Sequence, residues 1–170
     1  MNVLVISSSP NTDGLTAACA SAAIEGVRQA GGEAEEALLN DLSVGLCHAC
    51  NNGWGTCRTE HECQVQDGFQ ALHARVQKAD ALVLVTPVYW GGMSESMKAF
   101  TDRLRRCEAT RSDACWLLDK PVIAVAAAGG GGGGMITCLL NMERWVQHVK
   151  GTVFDLIPIK RWSRAYKLET

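Results

Sequence analysis

Short apolar, β-branched runs alternate along the chain with segments of helical period. The runs predict buried strands over residues 3–7, 33–39, 81–85, 122–127 and 152–157. Between them, apolar positions recur every three or four residues and predict helices over residues 15–30, 67–78, 93–106 and 135–149. Strands joined by crossover helices are typical of an α/β domain with a doubly wound parallel sheet.

The segment over residues 43–64 has no period and is rich in Cys, Gly, Asn and His, so it is predicted to be a long ordered excursion. The 170 residues are the length of one ordinary domain, and 47% apolar content is enough for a core between two helical layers. We therefore expect a single domain over residues 1–170, with a Cys-rich insertion at about 43–64.

Charge and composition exclude several classes of partner. A formal charge of -2 and a pI near 6.1 supply no basic field for nucleic acid. The chain starts without a charged leader and has no apolar segment long enough for a bilayer, so no membrane partner and a cytoplasmic location are expected. Eight cysteines in such a chain indicate free thiols or a metal site instead of disulfides. Four of them are predicted to be small buried hydrophobic residues: Cys19, Cys107, Cys115 and Cys138.

The loop from Ser7 to Thr16 runs from a predicted strand into a predicted helix. Its hydroxyls, turn residues and helix amino terminus favour an anion site for a phosphate monoester. The loop lacks both G-x-G-x-x-G and G-K-[ST], which disfavours dinucleotides and nucleoside triphosphates. An ordinary serine-rich turn is the alternative interpretation.

Two further loops are expected at the same sheet edge. In the loop 87–92, Tyr89 and Trp90 could stack on a flavin while two glycines allow close backbone approach, although such aromatics also serve as hydrophobic anchors. In the run of six glycines at 129–134, only the first residues are predicted to contact a ligand, and the middle is predicted to be mobile.

Several motifs together resemble a known family. They are Ser9-Pro10 with Gly14 and Thr16, Thr86-Pro87-Val88-Tyr89-Trp90-Gly91, and Met97-Lys98-Ala99-Phe100-Thr101-Asp102-Arg103-Leu104. The chain from Val3 to about Val149 resembles the flavodoxin-like NAD(P)H-dependent FMN reductase family, which includes the iron–sulfur flavoproteins. The resemblance implies a five-stranded parallel sheet of order 2-1-3-4-5 in three α/β/α layers, with bound FMN and NAD(P)H as co-substrate.

On this resemblance, two groups of residues bind FMN. The phosphate group is bound by the first loop, through Ser7, Ser9, Asn11, Gly14, Leu15 and Thr16. The ring is bordered by Pro87, Val88, Tyr89, Trp90, Gly91, Gly129 and Gly130. The family usually has Arg where Asn11 stands and Asn where Leu15 stands, so a charge-assisted phosphate contact is lost and weaker FMN binding is expected.

The excursion contains four cysteines, Cys47, Cys50, Cys57 and Cys63. Iron–sulfur members of the family carry four closely spaced cysteines here, so the resemblance implies a possible cluster on these thiols. The third, Cys57, comes seven residues after Cys50 instead of three. Structural zinc and an unmetallated loop at a subunit contact are the alternatives, and spacing does not separate them.

The resemblance implies an FMN-dependent oxidoreductase that moves electrons from NAD(P)H to a small acceptor such as a quinone or a flavin. FMN carries the chemistry, so no catalytic side chain is expected. A homodimer or homotetramer is expected on the same ground. The alternatives are an iron–sulfur electron carrier between proteins and a flavin-free binding module. Asp102 and Arg103 are predicted to be a surface or subunit-contact pair, and the tail over residues 160–170 to pack on a neighbouring subunit.

Overall fold

The computed structural model describes residues 1–163, in which strands and helices alternate from the first residues onward. The strands are β1 (Asn2–Ser7), β2 (Glu33–Leu38), β3 (Ala81–Tyr89), β4 (Gly92–Met93), β5 (Pro121–Ala128) and β6 (Thr152–Lys160). The helices are α1 (Leu15–Gln29), α2 (Cys50–Gly53), α3 (Thr56–Thr59), α4 (Phe69–Lys78), α5 (Glu95–Glu108) and α6 (Met135–His148). Short 3₁₀ turns lie at Ser112–Ala114 and Arg161–Ser163. The part of the predicted tail contact that falls on residues 164–170 lies outside the described residues.

Five parallel strands form the sheet in the order β2-β1-β3-β5-β6. The short strand β4 is antiparallel and pairs with the end of β3, so it does not interrupt this order. Counted without β4, the order is the predicted 2-1-3-4-5. The doubly wound, flavodoxin-like sheet is therefore confirmed.

Both faces of the sheet carry apolar side chains because the side chains of a strand point alternately to opposite sides. Leu4 and Ile6 of β1 point to the larger core, which contains the buried side chains of α4, α5 and α6. Val3 and Val5 point to the smaller core under α1. An apolar cavity of about 510 Å³ lies between α1 and strands β3, β5 and β6.

The largest difference from the predicted elements is in β3. The apolar pattern predicts a strand end at residue 85, but β3 continues to Tyr89. Its neighbour β5 supplies pairing partners for this extension, with Thr86 opposite Ala126 and Pro87 opposite Ala127. Strand β1 ends at Ser7, opposite Val85, so Pro87 is paired with β5 on one side and has no neighbouring strand on the other. The missing N–H of Pro87 therefore removes no hydrogen bond on the β1 side of the strand.

The excursion is ordered, as predicted, and contains the two short helices α2 and α3. The four cysteines predicted to be small buried hydrophobic residues are all buried, which confirms that interpretation. None of the helices within residues 1–163 is long and apolar enough to cross a membrane.

Candidate functional site

Three loops leave the sheet at one edge because β1, β3 and β5 are parallel neighbours that end there. The first loop, residues 8–14, follows β1. The second is the tight turn between β3 and β4, and the third is the glycine run 129–134 after β5. Ligands of doubly wound sheets bind beyond the carboxyl ends of the strands, so these loops form the candidate site.

The first loop is a compact turn held by its own polar groups. The backbone N–H of Asn11 donates to Ser9 Oγ at 3.2 Å, and the Ser9 hydroxyl donates to the Asn11 carbonyl at 3.2 Å. Asn11 Oδ1 accepts from the backbone N–H of Asp13, also at 3.2 Å. A Cβ on Gly14 would lie 3.1 Å from Asn11 Nδ2, so glycine lets the turn close against α1.

Helix α1 begins directly after this turn, with Gly14 as its N-cap residue. No side chain caps it, and its first turn holds no acidic residue. The first backbone N–H groups of a helix have no intrahelical acceptor, and the dipole adds partial positive charge at that end. The arrangement fits a phosphate group, which backbone N–H groups and the hydroxyl of the buried Thr16 can reach. Residues 7–16 contain no Lys or Arg, so charge assistance from a side chain is absent from this loop.

A buried hydroxyl cluster, formed by Ser8, Thr86 and Ser94, joins the first loop to β3 and α5. Ser94 Oγ donates to Ser8 Oγ at 2.8 Å, and the Ser94 backbone N–H donates to Thr86 Oγ1 at 3.0 Å. Ser94 Oγ also accepts from the backbone N–H of Met97 and so caps α5. The cluster therefore holds the first loop and the start of α5 in one arrangement. Sequence reasoning did not single out Ser94, although a serine just before a helical period is an N-cap signal.

The second loop is a two-residue hairpin turn. Trp90 has φ of 49° and Gly91 has φ of 77°, and β4 then pairs back so that Tyr89 faces Gly92. The left-handed region costs a bulky side chain about 1–3 kcal/mol, and such a conformation persists only where the surrounding structure imposes it. Here the Trp90 indole projects into solvent, and Tyr89 is 42% exposed.

The third loop packs directly on this hairpin. Gly134 has φ of 83°, and a Cβ there would lie only 2.6 Å from the Cα of Gly91. At the other end of the loop, a Cβ on Gly129 or Gly130 would meet nothing within 4 Å, so their backbone borders open space. Lys160, at the end of β6, lies beside Gly132 and is a further residue that sequence reasoning missed.

The structure thus brings the predicted phosphate-contacting and ring-contacting residues, which come from three strand ends and their loops, to one rim. The contact of Ser8 with Ser94 joins the first loop to the start of α5, and the contact of Gly91 with Gly134 joins the second loop to the third. Pro87, Val88 and Tyr89 differ from the expectation in belonging to β3 instead of a loop.

The four cysteines of the excursion lie apart from this rim but around one pocket. Cys47, Cys50, Cys57 and Cys63 all line it, and Arg103 and Arg106 of α5 also contribute to its wall. No group of three or more His, Cys, Asp or Glu side chains within residues 1–163 is placed to hold a metal ion. The four thiols therefore line one pocket, but among the described residues they are not positioned as a set of metal ligands.

Arg103 is the anchor between the excursion and the sheet domain. Its guanidinium donates to Asp67 Oδ2 at 2.6 Å, to the Gly45 and Val65 carbonyls, and to Cys63 Sγ at 3.4 Å. Only 1% of the residue is exposed within the chain, so the prediction of a surface or subunit-contact pair with Asp102 was wrong for Arg103. The reason is that its partners come from residues 45–67, far away in sequence. Asp102 instead pairs with Lys98 on the same helix.

The directions of the pKa shifts of Asp67 and Arg103 are those of an ion pair. Burial alone would raise the pKa of Asp67, but the hydrogen bond from Arg103 and two backbone N–H groups hold it below the usual value. Burial alone would lower the pKa of Arg103, but Asp67 and Cys63 raise it. Behind the pocket, burial together with the nearby Cys63 and Cys57 raises the pKa of Cys107, which therefore stays a protonated thiol.

Comparison with known proteins finds a sequence family and a consistent fold. The family model described as NADPH-dependent FMN reductase matches residues 1–155. An iron-sulfur flavoprotein of Methanocaldococcus jannaschii is 32% identical over 105 residues, which are 62% of this chain and 52% of that protein. The chain spans about half the length of the curated relatives it matches.

Two solved structures illustrate the shared fold. RosB, crystallised with bound 8-demethyl-8-formylriboflavin-5'-phosphate, superposes with a TM-score of 0.77 at 13% identity, covering 99% of this chain and 74% of RosB. An NAD(P)H:quinone oxidoreductase from Methanothermobacter marburgensis superposes with a TM-score of 0.70 at 17% identity, covering 94% of this chain and 82% of that one. At such identities the likeness concerns the fold alone.

Proposed function

The chain belongs to the NADPH-dependent FMN reductase family, and from this premise we propose that it is an FMN-dependent oxidoreductase passing electrons from NAD(P)H to a small acceptor. Residues 1–170 act as one FMN-binding domain that carries the cysteine excursion. The acceptor is proposed to be a quinone, a flavin or a similar molecule.

The observation that carries this proposal is the meeting of three loops at the carboxyl edge of β1, β3 and β5. The open amino terminus of α1 supports a phosphate site, and the hairpin with Tyr89 and Trp90 supports a site for a flat ring. The open space next to Gly129 and Gly130 supports close approach of backbone amides to a ligand. The hydroxyl cluster joins the first loop to β3 and to the start of α5, which supports a fixed arrangement of the elements that flank the proposed site.

When bound, FMN supplies the redox chemistry, in which NAD(P)H and one proton give two electrons and two protons to a quinone and leave NAD(P)⁺ and a hydroquinone. The chain's own residues bind and orient. The first turn of α1, including Leu15 and Thr16, would hold the phosphate, while the hairpin and Gly129 would border the ring. No acidic or basic side chain of the described rim is assigned a catalytic step.

A visible absorption spectrum of the purified protein tests the proposal. Protein reconstituted with FMN is expected to show the absorption bands of bound flavin, and these bands should bleach when NADPH or NADH is added without oxygen. A colourless protein that does not take up FMN would instead favour the flavin-free binding module. Bound flavin that neither nicotinamide reduces would contradict the reductase function while leaving the FMN site intact.

A second candidate function is an iron–sulfur flavoprotein that carries electrons between proteins. The four thiols around one pocket favour it, and thiolates are the usual ligands of such clusters. Since the thiols are not placed as a ligand set in this conformation, binding would need a rearrangement of the excursion. Iron and sulfide analysis of anaerobically reconstituted protein tests this. Cys57→Ser should lower the iron content and remove the brown absorbance shoulder, whereas Cys19→Ser, far from the pocket, should not.

The homodimer or homotetramer and the cytoplasmic location stay predictions. Light scattering coupled to size-exclusion chromatography measures the assembly directly. A monomer at micromolar concentration would contradict the expected oligomer.

A further inference from the structure

We propose that the apolar groove between α1 and strands β3, β5 and β6 is an interface with a second copy of this chain, in which Trp162 of each copy enters the groove of the other. This cavity of about 510 Å³ is called the α1 groove below. The inference goes beyond the proposed flavin chemistry and does not depend on it. It names the surface through which two subunits meet, on the sheet face opposite to α5 and the cysteine pocket.

The α1 groove exists because one half of this sheet face has no helix over it. Within residues 1–163, α1 is the only helix whose side chains belong to the smaller core. Strands β5 and β6 lie at the far side of the sheet from β2. Parallel sheets are normally buried on both faces. The residues that line the groove are all apolar or glycine, so water finds no hydrogen-bond partner among their side chains, and bulky apolar groups of another molecule fit there.

One end of the α1 groove is a hole that no side chain fills. A Cβ on Gly26 or on Gly31 would meet nothing within 4 Å. Both glycines line the groove at the carboxyl end of α1, together with Met1. Met1 directly precedes β1, and its carbonyl accepts from the backbone N–H of Glu33 at the start of β2. The hole therefore lies at the edge of the sheet where the strands begin.

An exposed aromatic side chain stands at the other end of the α1 groove. Trp162 is 78% exposed and follows Ile159, a groove residue of β6, by three positions, a reach of at most about 11 Å. An interface with a two-fold axis joins the same surface on both subunits, so that surface must be complementary to itself. A projecting indole at one end and a hole at the other meet this requirement when two copies pack antiparallel.

The charges around the α1 groove favour the same antiparallel arrangement. Glu25 of α1 and Asp155 of β6 are exposed near the end that holds the hole, whereas Arg161 is exposed next to Trp162 at the opposite end. Arg28 lies on the side of α1 away from the groove, because it is about half a turn from both Gly26 and Ala30. Antiparallel packing brings Arg161 of each copy to the acidic end of the other, and parallel packing would bring like charges together.

Sedimentation equilibrium of the full chain, with FMN added, measures the dissociation constant of the assembly. Gly26→Lys puts a charged side chain into the hole without a clash inside the chain, and lysine favours a helix more than glycine does. The variant should therefore keep its fold, which circular dichroism checks. Its dissociation constant should rise about a hundredfold or more, because each interface contains the substitution twice.

Ser21→Lys is the matched control on the same helix. Ser21 is exposed and lies about half a turn from Cys19 and from Ala23, which both line the α1 groove, so it is on the opposite side of α1. The dissociation constant of this variant should stay within about twofold of that of the wild type, since a surface substitution outside an interface has little effect.

Three further variants test the two contacts. Trp162→Ala should raise the dissociation constant about thirtyfold or more, as for a buried aromatic residue at the centre of an interface. Arg161→Glu and Glu25→Arg should each raise it about fivefold to twentyfold, because each brings like charges together. The double variant Arg161→Glu, Glu25→Arg should return to within about threefold of the wild type, since only a contact between these two side chains is restored by the exchange.

The outcomes that would overturn the inference are distinct. A monomeric wild type would do so, and would leave a small apolar molecule or another segment of this chain as the occupant of the α1 groove. An oligomer that Gly26→Lys leaves intact would show that the subunits meet elsewhere. Equal losses in Gly26→Lys and Ser21→Lys, or a double variant no tighter than the single ones, would also overturn it. Bleaching of bound FMN by NADPH is measured separately, so a failure of the reductase function is not confused with these outcomes.

Discussion

Ser94 Oγ lies 2.8 Å from Ser8 Oγ, and this contact joins two segments that are 86 residues apart in the chain. Ser94 is also the N-cap residue of α5 and binds the end of β3 through Thr86. Both serines are buried, so their hydroxyls have no access to water as an alternative partner.

Substitution of Ser94 by Ala should therefore weaken both the fold and the first loop. The lost cap and the lost hydrogen bond to the Ser8 hydroxyl, which keeps its bond to the Val85 carbonyl, should lower the free energy of unfolding by about 1–2 kcal/mol. The freed loop should also weaken FMN binding. Urea denaturation and FMN titration measure the two effects.

Ser96→Ala is the matched control for that variant. The Ser96 hydroxyl is only partly buried, and its contacts to the Ser8 carbonyl and to Asn40 Oδ1 are both 3.4 Å long. A change of less than about 0.5 kcal/mol is expected there. Equal losses in the two variants would show that the buried contact has no special importance.

Substitution of Arg103 by Met should strongly destabilise the protein. Removal of a buried cation from its ion pair typically costs about 3–5 kcal/mol, because the partner is left uncompensated. Arg105→Met is the control, since no hydrogen bond or ion pair within the described residues involves the Arg105 side chain. In the double variant Arg103→Met, Asp67→Asn, the loss should be smaller than the sum of the two single losses. Thermal or urea unfolding measures all four proteins.

Acid should destabilise the protein through two ion-paired carboxylates, the partly buried Asp67 and the fully buried Glu108. The pKa of Asp67 is lowered, as described above. Burial alone would raise the pKa of Glu108, but His73 Nε2 at 2.6 Å, the backbone N–H of Trp116 and Arg111 lower it. A carboxylate whose pKa is lower in the folded state stabilises the fold fully above its unfolded pKa, near 4.

That stabilisation should be lost as the pH falls through the folded-state pKa values. The free energy of unfolding should therefore decrease from about pH 5 downward. Asp67→Asn, although less stable at neutral pH, should show a shallower decrease. Urea denaturation at a series of pH values measures the slopes, and identical slopes in both proteins would contradict the role assigned to Asp67.

Two alanine substitutions in the glycine run should have opposite effects. Gly134→Ala places a Cβ against Gly91 and demands a left-handed conformation, so a loss of about 1–3 kcal/mol is expected. Gly131→Ala meets nothing within 4 Å, so it should be neutral or stabilise by up to about 1 kcal/mol. Thermal unfolding measures both, and equal effects would mean that the third loop does not pack on the hairpin.

Asn11→Arg should restore the charge that the first loop lacks. Hydrogen bonds to charged groups contribute about 1.5–3 kcal/mol, so roughly tenfold or stronger FMN binding is expected. Thr12→Arg puts the same charge on the next, exposed residue and should have a smaller effect. Titration of the two apoproteins with FMN decides, and no gain for Asn11→Arg would contradict a phosphate site in this loop.

The strands and helices could be predicted from the sequence because their patterns are local. The period of apolar residues gave most boundaries to within two residues, as in β1 and α1. The end of β3 could not be found in this way. It depends on the pairing of Pro87 with Ala127, which only the assembled sheet supplies.

The candidate site was partly predictable for the same reason. Loops after parallel strands meet at one edge of the sheet, so the topology predicts which three loops form the rim. The burial of Arg103 depends on Asp67, 36 residues away, and on carbonyl groups of an aperiodic segment. No local pattern encodes those partners, and a cation on an amphipathic helix is ordinarily exposed.

The contacts of Arg103 also bear on how the protein opens. A long excursion is commonly among the first segments to detach from a domain, and its amide hydrogens then exchange rapidly with solvent. Here, release of residues 45–67 would break all four hydrogen bonds of the Arg103 guanidinium at once, so this segment should open less readily than an unanchored loop. Amides such as those of Gly45 and Phe69, which donate to the Asp67 carboxylate, should exchange together with the amides of α5, in one cooperative unit.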